Sequence, residues 1–288
     1  VPNWISAPGQ ELPVGKATES GRIICNVGSV QQPHLDQGER MLCRIATLLL
    51  ALLGLACPAM ASEIRVLAPN AAKESVSEAI SVYEQATGHK VVVAWTGTEA
   101  ITKRIAEGEV VDVVVNAAQN IDQQSKDGKL VGGTRTDFAR SSIGVAIPAS
   151  AASVDVSTAN ALKAALLSVR TIVVSSGTSG RHMVEVFARL GVGELLKAKT
   201  KQPPSGAQIA DILAAGEADI GFQQASELLH SKGIRYLGPI PADLQNYTIY
   251  SAALHSSAEN ADAARELLGV FRSPTVQAIL RASGMEPI

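Results

Sequence analysis

Three short segments hold the groups with the clearest chemical use: Pro69-Asn70-Ala71, Thr96-Gly97-Thr98 and Ser175-Ser176-Gly177-Thr178-Ser179-Gly180. Each stands where an apolar, strand-like run gives way to a helical pattern. The first turn of a helix leaves backbone N–H groups without partners and carries the positive end of the helix dipole, so it is suited to anions. Glycine lets the backbone approach closely, and the hydroxyls of Thr98, Thr178 and Ser179 add donors. The same residue types are favoured as ordinary caps, so one such turn decides nothing. Three of them at strand carboxyl ends, where α/β sheets take their ligands, point to a small anion held by dipoles and hydroxyls.

Arg181 follows the third turn and either forks onto a carboxylate of the ligand or points outward into a surface pair. Trp95 either packs in the core or stacks on a ligand. His89, His182, His230 and His255 lack metal-ligand spacing and read as surface or cap residues, so neither a metal site nor a cofactor is expected. The rival class is an α/β hydrolase, because serines between a strand and a helix are where such a nucleophile sits. Yet Gly177-Thr178-Ser179-Gly180-Arg181 is not G-x-S-x-G, and His182 stands too near in sequence to act as the base. Neither a Walker lysine nor a dinucleotide fingerprint occurs, and no catalytic residue is assigned.

The elements that must position these turns alternate. A strand is expected over 64–68, a helix from Val76 to the stop at Gly88, and a strand over 90–95. A helix carrying Ile101 and Ile105, an apolar strand over 110–115 and a helix over 120–126 follow. The pattern then repeats: strand 143–147, helix 159–168, strand 171–175, helix 181–190, helix 207–215, strand 219–222, helix 226–231 and strand 234–237. A strand over 247–254 and two helices close the chain. Such order predicts two doubly wound, mainly parallel α/β lobes. Lobe one takes residues 62–142 and 243–288, and lobe two takes 143–242. Two crossover strands near 140–147 and 241–249 join them.

Composition narrows the function. With 25 basic against 27 acidic side chains the net charge is −2, and aromatics make up 3% of 288 residues. That leaves no clustered basic surface for nucleic acid and few rings for stacking on single strands. From Met41 the sequence reads MLCRIATLLLALLGLACPAMA, in which Arg44 precedes a short apolar run and Pro58 leads into Ala59-Met60-Ala61. This is the layout of a secretory signal peptide, with cleavage expected near Ala61. A lipid-anchored alternative at Cys57 is disfavoured by Gly54. Residues 1–40, rich in proline and glycine and without apolar periodicity, read as a disordered or wrongly assigned extension, with Met41 as the natural start. Cys25, Cys43 and Cys57 all precede the expected cut, so the mature chain would be free of thiols.

The residues also resemble a known family, the periplasmic substrate-binding proteins of ABC transporters, and within it the molybdate-binding group with the type II two-lobe fold. The resemblance spans 63–288. It rests on VLAPNAAKESVSEAI, YEQATGHKV, TGTEAITKRIAEGEVVDVVVNAAQ, GTSGRHMVEVF, IADILAAGEADIG and LLGVFRSPTVQAIL. It implies a monomeric periplasmic receptor that binds a small anion by hinge closure and docks on an inner-membrane permease. Carried over position by position, the family's first hydroxyl contact falls on Ala71, leaving a backbone N–H and the Asn70 amide. The second falls on Thr98. In lobe two the contacts fall on Ser179, near Gly206, and on Gln224 where the family has tyrosine, with Gln223 beside it. Unpaired buried polar groups are costly, so this altered donor set implies an altered ligand, such as an organic anion suited to the amides of Asn70, Gln223 and Gln224.

Overall fold

The computed structural model describes residues 61–288; the expected signal peptide and the extension before it lie outside the described residues. The chain folds around two sheets. β1 (Glu63–Pro69), β2 (Lys90–Thr96), β3 (Val113–Ala117), β4 (Thr136–Ser141), β10 (Thr248–Leu254) and β11 (Glu286–Pro287) form the first, in the order β11-β4-β10-β3-β1-β2. β5 (Ile143–Pro148), β6 (Ile172–Val174), β7 (Thr200–Lys201), β8 (Ile220–Gln224) and β9 (Ile234–Pro239) form the second, in the order β7-β6-β8-β5-β9.

The helices of the first lobe are α1 (Lys73–Thr87), α2 (Thr98–Ala106), α3 (Ala118–Lys126), α9 (Ala261–Val270) and α10 (Pro274–Ala282). Those of the second are α4 (Ala159–Ser168), α5 (Thr178–Arg189), α6 (Gly193–Lys197), α7 (Ile209–Ala214) and α8 (Ala225–Leu228). Local chemistry sets several of their ends. Gly88 closes α1 in the left-handed region at φ 76°, which glycine adopts without a steric penalty. Thr158 and Ser273 cap α4 and α10 by accepting from Ala161 N and Val276 N.

Each sheet is covered on both faces because its strands alternate between two apolar sets. On β1, Ile64, Val66 and Ala68 enter the core shared with Val76, Ile80, Tyr83 and Phe271, whereas Leu67 joins Ile101, Ile105 and Val114 on the other side. On β5, Ile143, Val145 and Ile147 meet Met183 and Phe187, whereas Ala146 faces Ile209 and Leu213. The expectation of mainly parallel sheets needs correction. β1 pairs parallel with β2 and β3, and β6 with β7 and β8, but β10 runs antiparallel to β3 and β4, and β5 antiparallel to β8 and β9. β5 and β10 are the strands the chain forms as it crosses from one lobe to the other. They enter their sheets from the cleft side, and so run against the strands already there.

The outward crossing has Ser142 alone between β4 and β5, and the return runs from β9 to β10. Gln245 ties the two together: its Oε1 accepts from Ile143 N at 2.9 Å and its Nε2 donates to Ile143 O at 3.1 Å. Among the described residues no helix is long and apolar enough to cross a membrane.

Candidate anion-binding cleft

The three turns singled out by their sequence converge on one cavity of ≈ 40 Å³ between the lobes. That is about three times the space one water molecule needs. From the first lobe come a 3-10 turn, Asn70–Ala72, and the N-terminus of α2; from the second come the N-terminus of α5 and the Ser205-Gly206-Ala207 loop. Gly97 and Gly177 sit at the N-cap positions of α2 and α5. Gly180 lets the third turn close tightly, since a Cβ there would stand 1.6 Å from Ser175 O. Ser175 Oγ in turn accepts from Gly180 N at 3.1 Å and meets Ser179 Oγ at 2.8 Å.

Asn70, Ala71, Thr98, Thr178, Ser179, Gly206, Gln223 and Gln224 all border this cavity, and Arg181 does not. Arg181 lies in an adjoining groove with His182 and Tyr247, its guanidinium paired with Glu99 of the first lobe. Trp95 packs against the first lobe's core. Of the two roles expected for the histidines, surface or cap, His255 takes the second: it is buried, and its Nδ1 accepts from Ser257 N at 3.1 Å.

The three side-chain amides expected to greet an organic anion are committed elsewhere. Asn70 Nδ2 donates across the lobes to Gly206 O at 3.1 Å. Gln223 accepts from Ile209 N at 3.0 Å and donates to Glu227 Oε1 at 2.8 Å. Gln224 satisfies both ends of its amide when the oxygen accepts from Thr248 Oγ1 at 2.8 Å and the nitrogen donates toward the carbonyls of Ser141 and Ser142 at 3.2 Å. It thus braces both crossovers.

The lobes also meet through Ser226 Oγ, which donates to Ala71 O at 2.8 Å, and through Ala100 N, which donates to Ser205 Oγ at 3.2 Å. The lobes also approach closely at Gly97. A Cβ there would stand 2.3 Å from Ser205 Oγ and 2.6 Å from Gly206 N.

Two residues that sequence reasoning missed also face the cavity, Glu227 on α8 and Tyr250 on β10. Burial pushes the Glu227 carboxyl up to about 8, against the hydrogen bonds of Gln208 and Gln223. The residue keeps some contact with solvent while its carboxyl group is lodged among protein atoms. Tyr250 is 1% exposed, and its phenol is raised well above the usual range by burial first and by the charge of Glu227 second. Among the described residues no lysine, arginine or histidine borders the cavity. Among the described residues no group of three His, Cys, Asp or Glu side chains is placed to hold a metal.

The serine arrangement offers no hydrolase dyad. Ser179 Oγ pairs with Ser175, and His182 Nε2 lies 2.7 Å from Leu244 O.

Residues 64–286 match the family described as bacterial extracellular solute-binding protein. Among curated proteins, the chain is 31% identical over 256 residues to an aconitate isomerase from Pseudomonas sp, covering 85% of this chain and 97% of that one. It is 27% identical over 234 residues to the molybdate-binding protein ModA of Azotobacter vinelandii, covering 80% and 92%. Among solved structures, the periplasmic molybdate-binding protein of Azotobacter vinelandii superposes with a TM-score of 0.67 at 19% identity, covering 77% of this chain and 98% of that one. At that identity the superposition speaks for the fold.

Proposed function

This chain belongs to the bacterial extracellular solute-binding proteins, and from that premise we propose that it is the periplasmic receptor of an ABC importer, closing two lobes over a small anion. The observation that carries the reading is the convergence of the α2 and α5 N-termini, one from each lobe, on a single cavity. Oriented N–H groups and hydroxyls favour an anion there without a fixed positive charge. Closure about the two crossovers couples ligand to shape, and the closed form is what a membrane permease would recognise. Thr98, Thr178, Ser179, Ala71 and Gly206 form the proposed contact set. Asn70, Gln223 and Gln224 instead hold the cleft's walls and hinge, and Arg181 acts on closure. Export through the segment ending near Ala61, a monomeric state and an inner-membrane permease partner complete this reading.

The test is a melting-temperature screen of undialysed and dialysed protein against molybdate, tungstate, sulfate, phosphate and small carboxylates, with native mass spectrometry of the undialysed sample. At least one anion should raise the melting temperature of the dialysed protein. A flat screen with no bound mass would defeat the receptor reading.

A second reading, catalysis on a polycarboxylate, is favoured by one specific observation. Glu227 sets an acidic group in a cavity otherwise built of anion donors, and the relative named aconitate isomerase spans nearly this whole fold. A receptor alone has no evident use for a carboxyl group that repels its ligand whenever it ionises.

A further inference from the structure

Resting on that second reading, we infer that the cleft moves a proton on a bound unsaturated polycarboxylate, with Glu227 as the group that takes the proton and returns it. Glu227 borders the same cavity as the α2 and α5 N-termini, which puts it next to the space where they would hold an anion. Its orientation is fixed from behind. Because Gln223 Oε1 is occupied by Ile209 N at 3.0 Å, the nitrogen of that amide must face Glu227 Oε1, which it meets at 2.8 Å. Gln223 is therefore a positioning residue. From the first lobe Tyr250, itself 1% exposed, borders the same cavity, and among the described residues no hydrogen bond engages its hydroxyl. A hydroxyl with no protein partner beside a cavity is free to donate to an acceptor held there.

The step balances without a co-reactant. The Glu227 carboxylate removes a proton from the saturated carbon next to the ligand's double bond; the C–H bond breaks and an O–H bond forms on Glu227. The electron pair spreads through the allylic system onto a ligand carboxylate, where the helix N–H groups and the Tyr250 hydroxyl meet the added charge. Glu227 then returns the proton to the far allylic carbon, the double bond shifts by one position, and the product has the composition of the substrate. With no cation bordering the cavity, the carboxylate keeps the basicity that removal of a carbon-bound proton requires. The groups packed around it are Gln223 of β8, Tyr250 of β10, Gln208 before α7 and Asn70. On its outer side it borders a groove with Lys73, Glu74 and His230.

The experiment incubates the dialysed protein with cis- and trans-aconitate in D₂O and follows deuterium uptake and isomer ratio by NMR, with calorimetry of the same ligands in parallel. Wild type should exchange and interconvert both isomers, at a rate that rises between pH 6 and 9. Glu227→Gln should lose at least about 100-fold of that rate, the low end for a general acid–base group, with affinity changed less than tenfold. Tyr250→Phe should lose about tenfold. Binding of aconitate by wild type without exchange, or a pH-independent rate, overturns the inference and leaves the receptor reading intact. Undiminished exchange in a folded Glu227→Gln protein removes Glu227 from the role. Failure to bind aconitate at all overturns it too, while a shift with molybdate in the same preparation would keep the receptor.

Discussion

Glu99 and Arg181, each in the first turn of its helix, pair across the cleft and tie α2 of one lobe to α5 of the other. A cation in the first turn of a helix is unfavourable to its own dipole, so local helix chemistry gives no reason for Arg181. Its partner in the opposite lobe does. The pair is open to solvent, with side chains 38% and 45% exposed, and such pairs contribute about 0.2–1 kcal/mol. Glu99→Gln should therefore weaken ligand affinity by a factor of about 1.4 to 5 by disfavouring the closed form. Because salt screens exposed charges, the gap from wild type should narrow in titrations repeated near 1 M sodium chloride. A gap that persists would mean the pair does more than hold the lobes.

Closure can also be blocked sterically at a position that costs the fold nothing. Gly97 has φ −88° and ψ 156°, a backbone any residue adopts. Only the other lobe forbids a side chain there, through Ser205 Oγ at 2.3 Å and Gly206 N at 2.6 Å from the added Cβ. Gly97→Ala should leave the melting temperature of ligand-free protein within about 1 °C, inside the range for a change away from the core. Affinity should fall at least tenfold. Equal affinity would show that the lobes close less far than Gly97 requires.

The turns were legible in the sequence because their signal is local. A strand, a glycine, a run of hydroxyls and an amphipathic helix specify both the element and the exposed N–H groups. Even so, α5 begins at Thr178 rather than Arg181, since Thr, Ser and Gly are weak helix formers whose presence hides the first turn. Tyr250 and Glu227 were not legible. They reach the cavity only because the return crossover threads β10 between β3 and β4 and sets α8 against the first lobe, a long-range outcome with no periodic signature. Gln223 and Gln224 take separate hydrogen-bonding tasks for a simpler reason. Neighbours on a strand point to opposite faces, so one supports α7 and the other braces the crossovers.

Thr98 and Ser179 separate binding from folding. Both are buried, at 6% and 3% exposure, and both border the cavity from opposite lobes. Removing one hydroxyl that meets the anion should cost about 1–3 kcal/mol, more than the typical net value of a neutral hydrogen bond, because its acceptor is charged. Thr98→Ala and Ser179→Ala should each weaken binding about five- to 150-fold in calorimetry. Ser179→Ala also deprives Ser175 Oγ of a partner at 2.8 Å, so it should lower stability slightly, whereas Thr98→Ala should not. Unchanged affinity in both variants would move the anion elsewhere in the cleft.

Glu227 predicts how stability varies with pH. Its carboxyl titrates near 8 in the fold against 4.5 for an ordinary glutamate, so the folded chain binds more protons than the unfolded one between those values. Stability then falls as pH rises. The contribution is fully present below about 4.5 and is lost progressively up to and through about 8, where the fold must hold an ionised group that burial disfavours. Glu227→Gln keeps the hydrogen bonding of a neutral side chain and removes that loss. Its melting temperature should match wild type near pH 4.5 and exceed it at pH 9 by at least about 2–4 °C, the shift for about 1 kcal/mol in a domain of this size. Differential scanning calorimetry of both proteins from pH 4.5 to 9 checks this. Parallel melting curves across that range would mean the carboxyl is hydrated in solution and titrates as an ordinary glutamate, which would also remove the basicity that proton transfer in the cleft depends on.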